Sequence, residues 1–196
     1  MELYLVRHTT PDIAKGVCYG KSDIDVAAHS FAAELEVIRH KLAGASLAID
    51  SSAIYSSPMQ RCTKLADELA SSLNLSPPTQ DVRLVELDFG DWELCSWDDI
   101  PRDAFDAWAH DHVDQAPPNG ESFYALHQRA AAFLAEVSAK PVSACVVVTH
   151  GGVIRALLGE VLGLPLIDTF RFQIDFASVT QLLLDERVNR VGYVNR

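Results

Sequence analysis

The run Ala144-Cys145-Val146-Val147-Val148-Thr149 constrains this chain more than any other feature. Six consecutive apolar or β-branched residues without polar alternation suit a strand buried on both faces. The run stops abruptly at His150-Gly151-Gly152, and residues 153–162 return to helical periodicity. A doubly buried strand leading straight into a helix belongs to α/β architectures, in which helices cover both faces of a parallel sheet.

A shorter version of the pattern opens the chain, where Leu3-Tyr4-Leu5-Val6 ends at Arg7-His8. Residues 31–42 place Phe31, Leu35, Ile38 and Leu42 near helical period. Ile54-Tyr55-Ser56 predicts a brief strand, Pro58 a helix start, and Leu65, Leu69 and Leu73 the apolar stripe of that helix. A further helix is expected over 122–137, and strands over 178–184 and 191–194. Alternating strands and helices predict a three-layer α/β/α sandwich with a mostly parallel central sheet, formed by residues 1–196 as a single domain. The segment 86–120 departs from this rhythm. It holds all three tryptophans, many aspartates and Pro101, Pro117 and Pro118, and reads as an inserted loop or helical cap.

With 196 residues, 48% hydrophobic and 22% charged, the chain has enough apolar surface for one substantial core. Its formal net charge of −11 argues against a nonspecific nucleic-acid binder. No run is long enough to cross a bilayer, and the apolar start is too short for a signal peptide, so no membrane partner is expected. Cys18, Cys62, Cys95 and Cys145 are scattered without a C-x-x-C pair, which fits reduced thiols in a cytoplasmic protein. Nothing in the sequence specifies an oligomeric state.

In open α/β sheets, sites form beyond the carboxyl ends of strands. Two such ends carry histidine: Arg7-His8 and His150-Gly151-Gly152. The helix after the glycines would direct free N–H groups at an anion. Because the whole protein is acidic, an anion pocket here must concentrate positive groups locally. Arg61, one turn into the helix after Pro58, is the candidate third cation, since guanidinium pairs with phosphate in a bidentate manner. Gly20-Lys21-Ser22 is not a nucleotide-binding P-loop: Lys15 stands where its first glycine belongs, and no strand leads into it. His110-Asp111-His112 reads as an exposed polar stretch rather than a metal site.

Four motifs occur in order: Arg7-His8-Thr9, Ser57-Pro58-Met59-Gln60-Arg61, Glu86-Leu87-Asp88-Phe89-Gly90-Asp91-Trp92-Glu93 and Thr149-His150-Gly151-Gly152. Their order and spacing resemble the histidine phosphatase superfamily, the phosphoglycerate-mutase-like group. The resemblance implies a metal-independent, cofactor-free phosphomonoesterase acting on a small molecule. His8 would be the nucleophile, Glu86 the general acid and base, and Arg7, Arg61, His150 and Gly151 the phosphate-binding groups. Thr9 departs from the usual glycine after the nucleophile, and Thr10-Pro11 replaces an acidic residue and threonine, so the pocket rim is expected to differ. Gly16-Val17-Cys18-Tyr19-Gly20-Lys21-Ser22-Asp23 is similar to the branch containing α-ribazole-5′-phosphate phosphatases, which would put Tyr19 and Ser22 near substrate. Sugar phosphates, nucleotides and phosphoglycerate are alternative substrates. A mutase would have to retain and re-donate the phosphoryl group. A silent phospho-ligand-binding module would not need both nucleophile and acid.

Overall fold

The computed structural model describes residues 1–45, 47 and 51–196. A six-stranded sheet runs in the order β3-β2-β4-β1-β5-β6. Its strands are β1 (Glu2–Arg7), β2 (Ser52–Ser56), β3 (Thr79–Gln80), β4 (Ala144–Thr149), β5 (Val179–Leu183) and β6 (Arg190–Tyr193). β3, β2, β4 and β1 are parallel neighbours, while β5 pairs antiparallel with β1 and β6 antiparallel with β5.

The period-2 alternation of the strands divides the core in two. Leu3, Leu5, Tyr55, Cys145 and Val147 pack with α4 (Phe123–Ser138) and α5 (Gly151–Leu162). Tyr4, Val6, Ile54, Val146 and Val148 pack with α1 (Ala28–Leu42) and α2 (Gln60–Ser72) on the other face. All six residues of β4 are buried, as a strand covered on both sides requires. The architecture is the expected α/β/α sandwich.

Local details differ from the sequence expectations for identifiable reasons. The helix expected at Pro58 begins at Gln60, whose backbone N–H is capped from outside by the Asp23 carboxylate at 2.7 Å. α5 begins at Gly151 rather than 153, because His150 is extended and already acts as its N-cap. β3 is two exposed polar residues, too short to carry a periodic signal. Within 86–120, two 3₁₀ turns (Gly90–Trp92 and Trp97–Asp99) precede α3 (Arg102–His110). Phe89, Trp92, Trp97, Phe105 and Trp108 pack mostly edge to face, with ring centroids 5.4–6.5 Å apart. Buried Cys18 and Ile100 lie in the same cluster, so this segment is anchored to the 16–22 loop.

Candidate active site

Register brings the two histidines together. Arg7 lies opposite Thr149 in the parallel pairing of β1 and β4, so His8 and His150 leave the sheet abreast. Their rings meet edge to face with centroids 5.1 Å apart. Both are buried, His8 at 2% exposure and His150 at 0%. His8 Nδ1 lies 2.7 Å from the carbonyl oxygen of Thr9. A carbonyl can only accept, so Nδ1 carries the proton and Nε2 keeps its lone pair. Burial, reinforced by Arg61 and then Arg7, holds the His8 pKa well below the usual imidazole value. His150 is lowered in the same way, by burial first and then by Arg61, His8 and Arg7. His150 Nε2 is 2.8 Å from the Ser57 hydroxyl.

Two arginines converge on this pair. Arg7 continues from β1 and donates one terminal N–H to the Ile174 carbonyl, while Phe176 lies under its guanidinium at 3.9 Å. Arg61 is fully buried at the start of α2. Its terminal nitrogens donate to the carbonyls of Ser22 at 2.7 Å and Gly20 at 2.5 Å. Among the described residues, the buried Nε of Arg7, the buried Nε of Arg61 and the buried hydroxyl of Thr9 have no hydrogen-bond partner. Unpaired donors clustered around a neutral histidine are the reverse of what folding alone favours, and they suit an anion.

A cavity of about 240 Å³ opens at this point. Arg7, His8, Tyr19, Glu86, Gly152 and Arg155 supply its polar lining, and Val17, Leu87, Phe89, Trp97, Phe123 and Phe170 its apolar wall. Glu86 is fixed by the first turn of α5: its carboxylate accepts the Gly152 N–H at 3.0 Å. A Cβ at 152 would lie 2.3 Å from Glu86 Oε1, so any larger residue there would displace this carboxylate. The carboxylate of Glu86 therefore shares one chamber with His8. Arg61 and His150 back this chamber without lining it.

Of the two loop residues expected near substrate, Tyr19 lines the cavity and Ser22 does not. The Ser22 hydroxyl donates to Glu93, and its carbonyl holds Arg61. Glu93 also accepts the backbone N–H groups of Gly20, Lys21, Ser22 and Phe89 at 3.0–3.1 Å. It locks the 20–22 loop against the tryptophan segment, and Ser22 is part of that lock. His112 packs against Phe170 with ring centroids 4.4 Å apart. Among the described residues, no group of three or more potential metal ligands occurs.

Sequence reasoning missed three residues here. Arg155 follows Gly151 and Gly152 by four and three positions, and that spacing on one helix face was an available signal. Phe170 and Phe176 come from a nonperiodic stretch and left no comparable trace.

Residues 3–196 match the histidine phosphatase superfamily (branch 1) across nearly the whole chain. The chain belongs to this superfamily. Among histidine phosphatases, the adenosylcobalamin/α-ribazole phosphatase of Escherichia coli is 28% identical over 203 residues, covering 100% of this chain and 96% of that protein. Phosphoserine phosphatase 1 of Hydrogenobacter thermophilus is 31% identical over 147 residues, covering 72% of this chain and 69% of that protein. The crystal structure of the α-ribazole phosphatase from Shigella flexneri aligns with a TM-score of 0.88 at 25% identity, covering 100% of this chain and 96% of that one. Like these histidine phosphatases, the chain is an enzyme of phosphate-ester chemistry on small molecules. Among the described residues, no helix is long and apolar enough to cross a membrane.

Proposed function

We propose that the protein, acting as one domain, hydrolyses a phosphomonoester through a phosphohistidine at His8. The observation that carries this reading is the His8 tautomer: Nδ1–H is engaged by the Thr9 carbonyl at 2.7 Å, which leaves Nε2 as the attacking lone pair. In the first step Nε2 bonds to phosphorus, and the ester P–O bond breaks in line with it. Glu86, in the same cavity, gives its proton to the departing alkoxide. Water then attacks the phosphohistidine, Glu86 takes its proton, and inorganic phosphate leaves with His8 restored.

Arg7 and Arg61 stabilise the equatorial oxygens. Each terminal nitrogen of Arg61 gives one N–H to a loop carbonyl, which leaves Nε–H and the second N–H of each for an anion. His150 lies against His8, and a bound phosphate dianion would offset the burial and arginine charges that keep it neutral, favouring its cationic form. Gly151 lets the phosphate approach the backbone at the start of α5.

The substrate we propose is α-ribazole 5′-phosphate or the corresponding cobalamin phosphate. The names of the E. coli and Shigella relatives support it, as does the aromatic wall of Phe89, Trp97, Phe123 and Phe170. A cytoplasmic setting accompanies this reading, supported by the four free thiols.

The test is rapid-quench labelling with ³²P-labelled substrate. Acid-labile, base-stable label is expected on the wild-type protein, and none on His8→Ala, which should also stop phosphate release while remaining folded. Undiminished turnover in His8→Ala would remove the nucleophile assignment.

A further inference from the structure

Glu86 has to aim a carboxylate at the departing oxygen, yet it stands on chain without regular structure. After the 3₁₀ turn Val82–Leu84, residues 85–89 belong to neither helix nor strand. Backbone groups in such a stretch need partners from elsewhere. The carbonyls of residues 83–86 find theirs in side chains. The Thr149 hydroxyl donates to the Leu84 carbonyl at 2.8 Å. Arg129, on α4, serves the other three. Its Nη1 donates to the carbonyls of Arg83 at 2.8 Å and Val85 at 2.5 Å, and its Nη2 to that of Glu86 at 3.1 Å.

The guanidinium is itself fixed. Glu121, next to the N-cap Ser122 of α4, accepts from Nε at 3.2 Å and from Nη2 at 2.5 Å. All five N–H donors of Arg129 are thereby engaged. Glu121 also accepts the Asp88 N–H at 3.2 Å, and its own N–H donates to the Asp88 carbonyl at 2.9 Å. One ion pair therefore holds the chain on both sides of Glu86. The carboxylate of Glu86 is held separately, by the Gly152 N–H at the start of α5. Arg129 and Glu121 do not line the reaction chamber. They border a neighbouring cavity of about 380 Å³, and Glu86 borders both.

We propose that Arg129, braced by Glu121, is a positioning residue for the general acid. It sets where the Glu86 carboxylate lies relative to the leaving oxygen, and it does so through the backbone without touching substrate. A misplacement of about 1 Å in a catalytic group costs on the order of 100-fold in rate. Releasing three carbonyls from a stretch with no ladder of its own is a change of that kind. The inference rests on Glu86 as the acid of a phosphomonoesterase, and it adds what holds that acid in place.

The experiment reads kcat/KM, which covers all steps through departure of the alcohol, for α-ribazole 5′-phosphate, glycerol 3-phosphate and p-nitrophenyl phosphate. The ratio of the faster alkyl ester to the nitrophenyl ester measures the contribution of the acid. Because the ratio is internal to each preparation, partial unfolding of a variant cancels. Arg129→Met should lower it by about 10–100-fold. Arg129→Lys, with one nitrogen for three carbonyls, should fall between the wild type and Arg129→Met. In a Glu86→Gln background, Arg129→Met should change the ratio by less than about twofold, because the group it positions is gone. If Arg129→Met does not fold, Arg129→Lys and Glu121→Gln carry the same comparison, each with a lowered ratio expected. A ratio unchanged in every folded variant, with all three esters losing rate together, would overturn the proposal and make the pair a purely structural brace. A full further loss of ratio in the Glu86→Gln background would overturn it as well. An unchanged ratio in Glu86→Gln alone would instead remove the acid assignment, and the proposal with it. If the wild type released phosphate from none of the three, the phosphomonoesterase reading itself would fall.

Discussion

Two imidazoles buried in their neutral form should make folding sensitive to mild acid. His8 and His150 have depressed pKa values in the folded state, chiefly through burial. In the unfolded chain both return to about 6.5. Below that value the unfolded state binds protons that the folded state refuses, so stability is present above the unfolded pKa and is lost as pH falls. One such proton is worth about 1.4 kcal/mol per pH unit, and two give a limiting slope of about 2.7 kcal/mol per unit, approached between about pH 6 and 5. For a chain of this size that corresponds to about 5–11 °C in Tm per unit. Several carboxylates with lowered pKa values, Asp81 and Asp88 among them, add their own loss only below the usual carboxylate range. The window between pH 6 and 5 therefore isolates the histidines. Urea unfolding followed by circular dichroism across pH 7.5 to 5.0 measures the slope directly. Replacing either histidine by Gln should halve it, and saturating inorganic phosphate, by favouring imidazolium, should flatten it. A flat profile in the wild type, or an unchanged slope in the doubly substituted protein, would refute the assignment of neutral buried histidines.

Glu86→Gln should slow esters of poorly acidic alcohols by about 100-fold or more while p-nitrophenyl phosphate loses far less, since an activated leaving group needs little protonation; steady-state kinetics on both esters checks this, and equal loss would remove Glu86 as the acid. Glu93→Ala should cost about 3 kcal/mol in urea unfolding, because four backbone N–H groups and the Ser22 hydroxyl lose one charged acceptor. A loss below about 0.5 kcal/mol would show that the 20–22 loop is held by something other than this carboxylate.

The centre of the sheet was legible because β1, β2 and β4 are buried on both faces, most completely at 144–149. The two histidines followed from the same logic, since a strand end in such a sheet is where a site can form. Arg61 looked like an ordinary helix arginine by itself. Its complete burial depends on Gly20 and Ser22 folding back over α2, a contact between segments about forty residues apart that no local pattern encodes. Ser22 falls outside the cavity lining for a similar reason, because the partner of its hydroxyl, Glu93, is remote in sequence. β3 escaped notice because two exposed polar residues have no period to detect.

The register of β1 has a consequence for how the enzyme comes into being. β1 precedes the other described strands in the chain, yet its neighbours are β4, where Glu2 meets Ala144, and β5, where Glu2 meets Leu183. Until residues 144–149 have been made, Leu3-Tyr4-Leu5-Val6 has neither edge of its final sheet to pair with. The nascent chain must carry an apolar segment in waiting, which is the situation that holdase chaperones serve. It also means that a chain truncated anywhere before β4 carries His8 without His150, so the two histidines cannot meet.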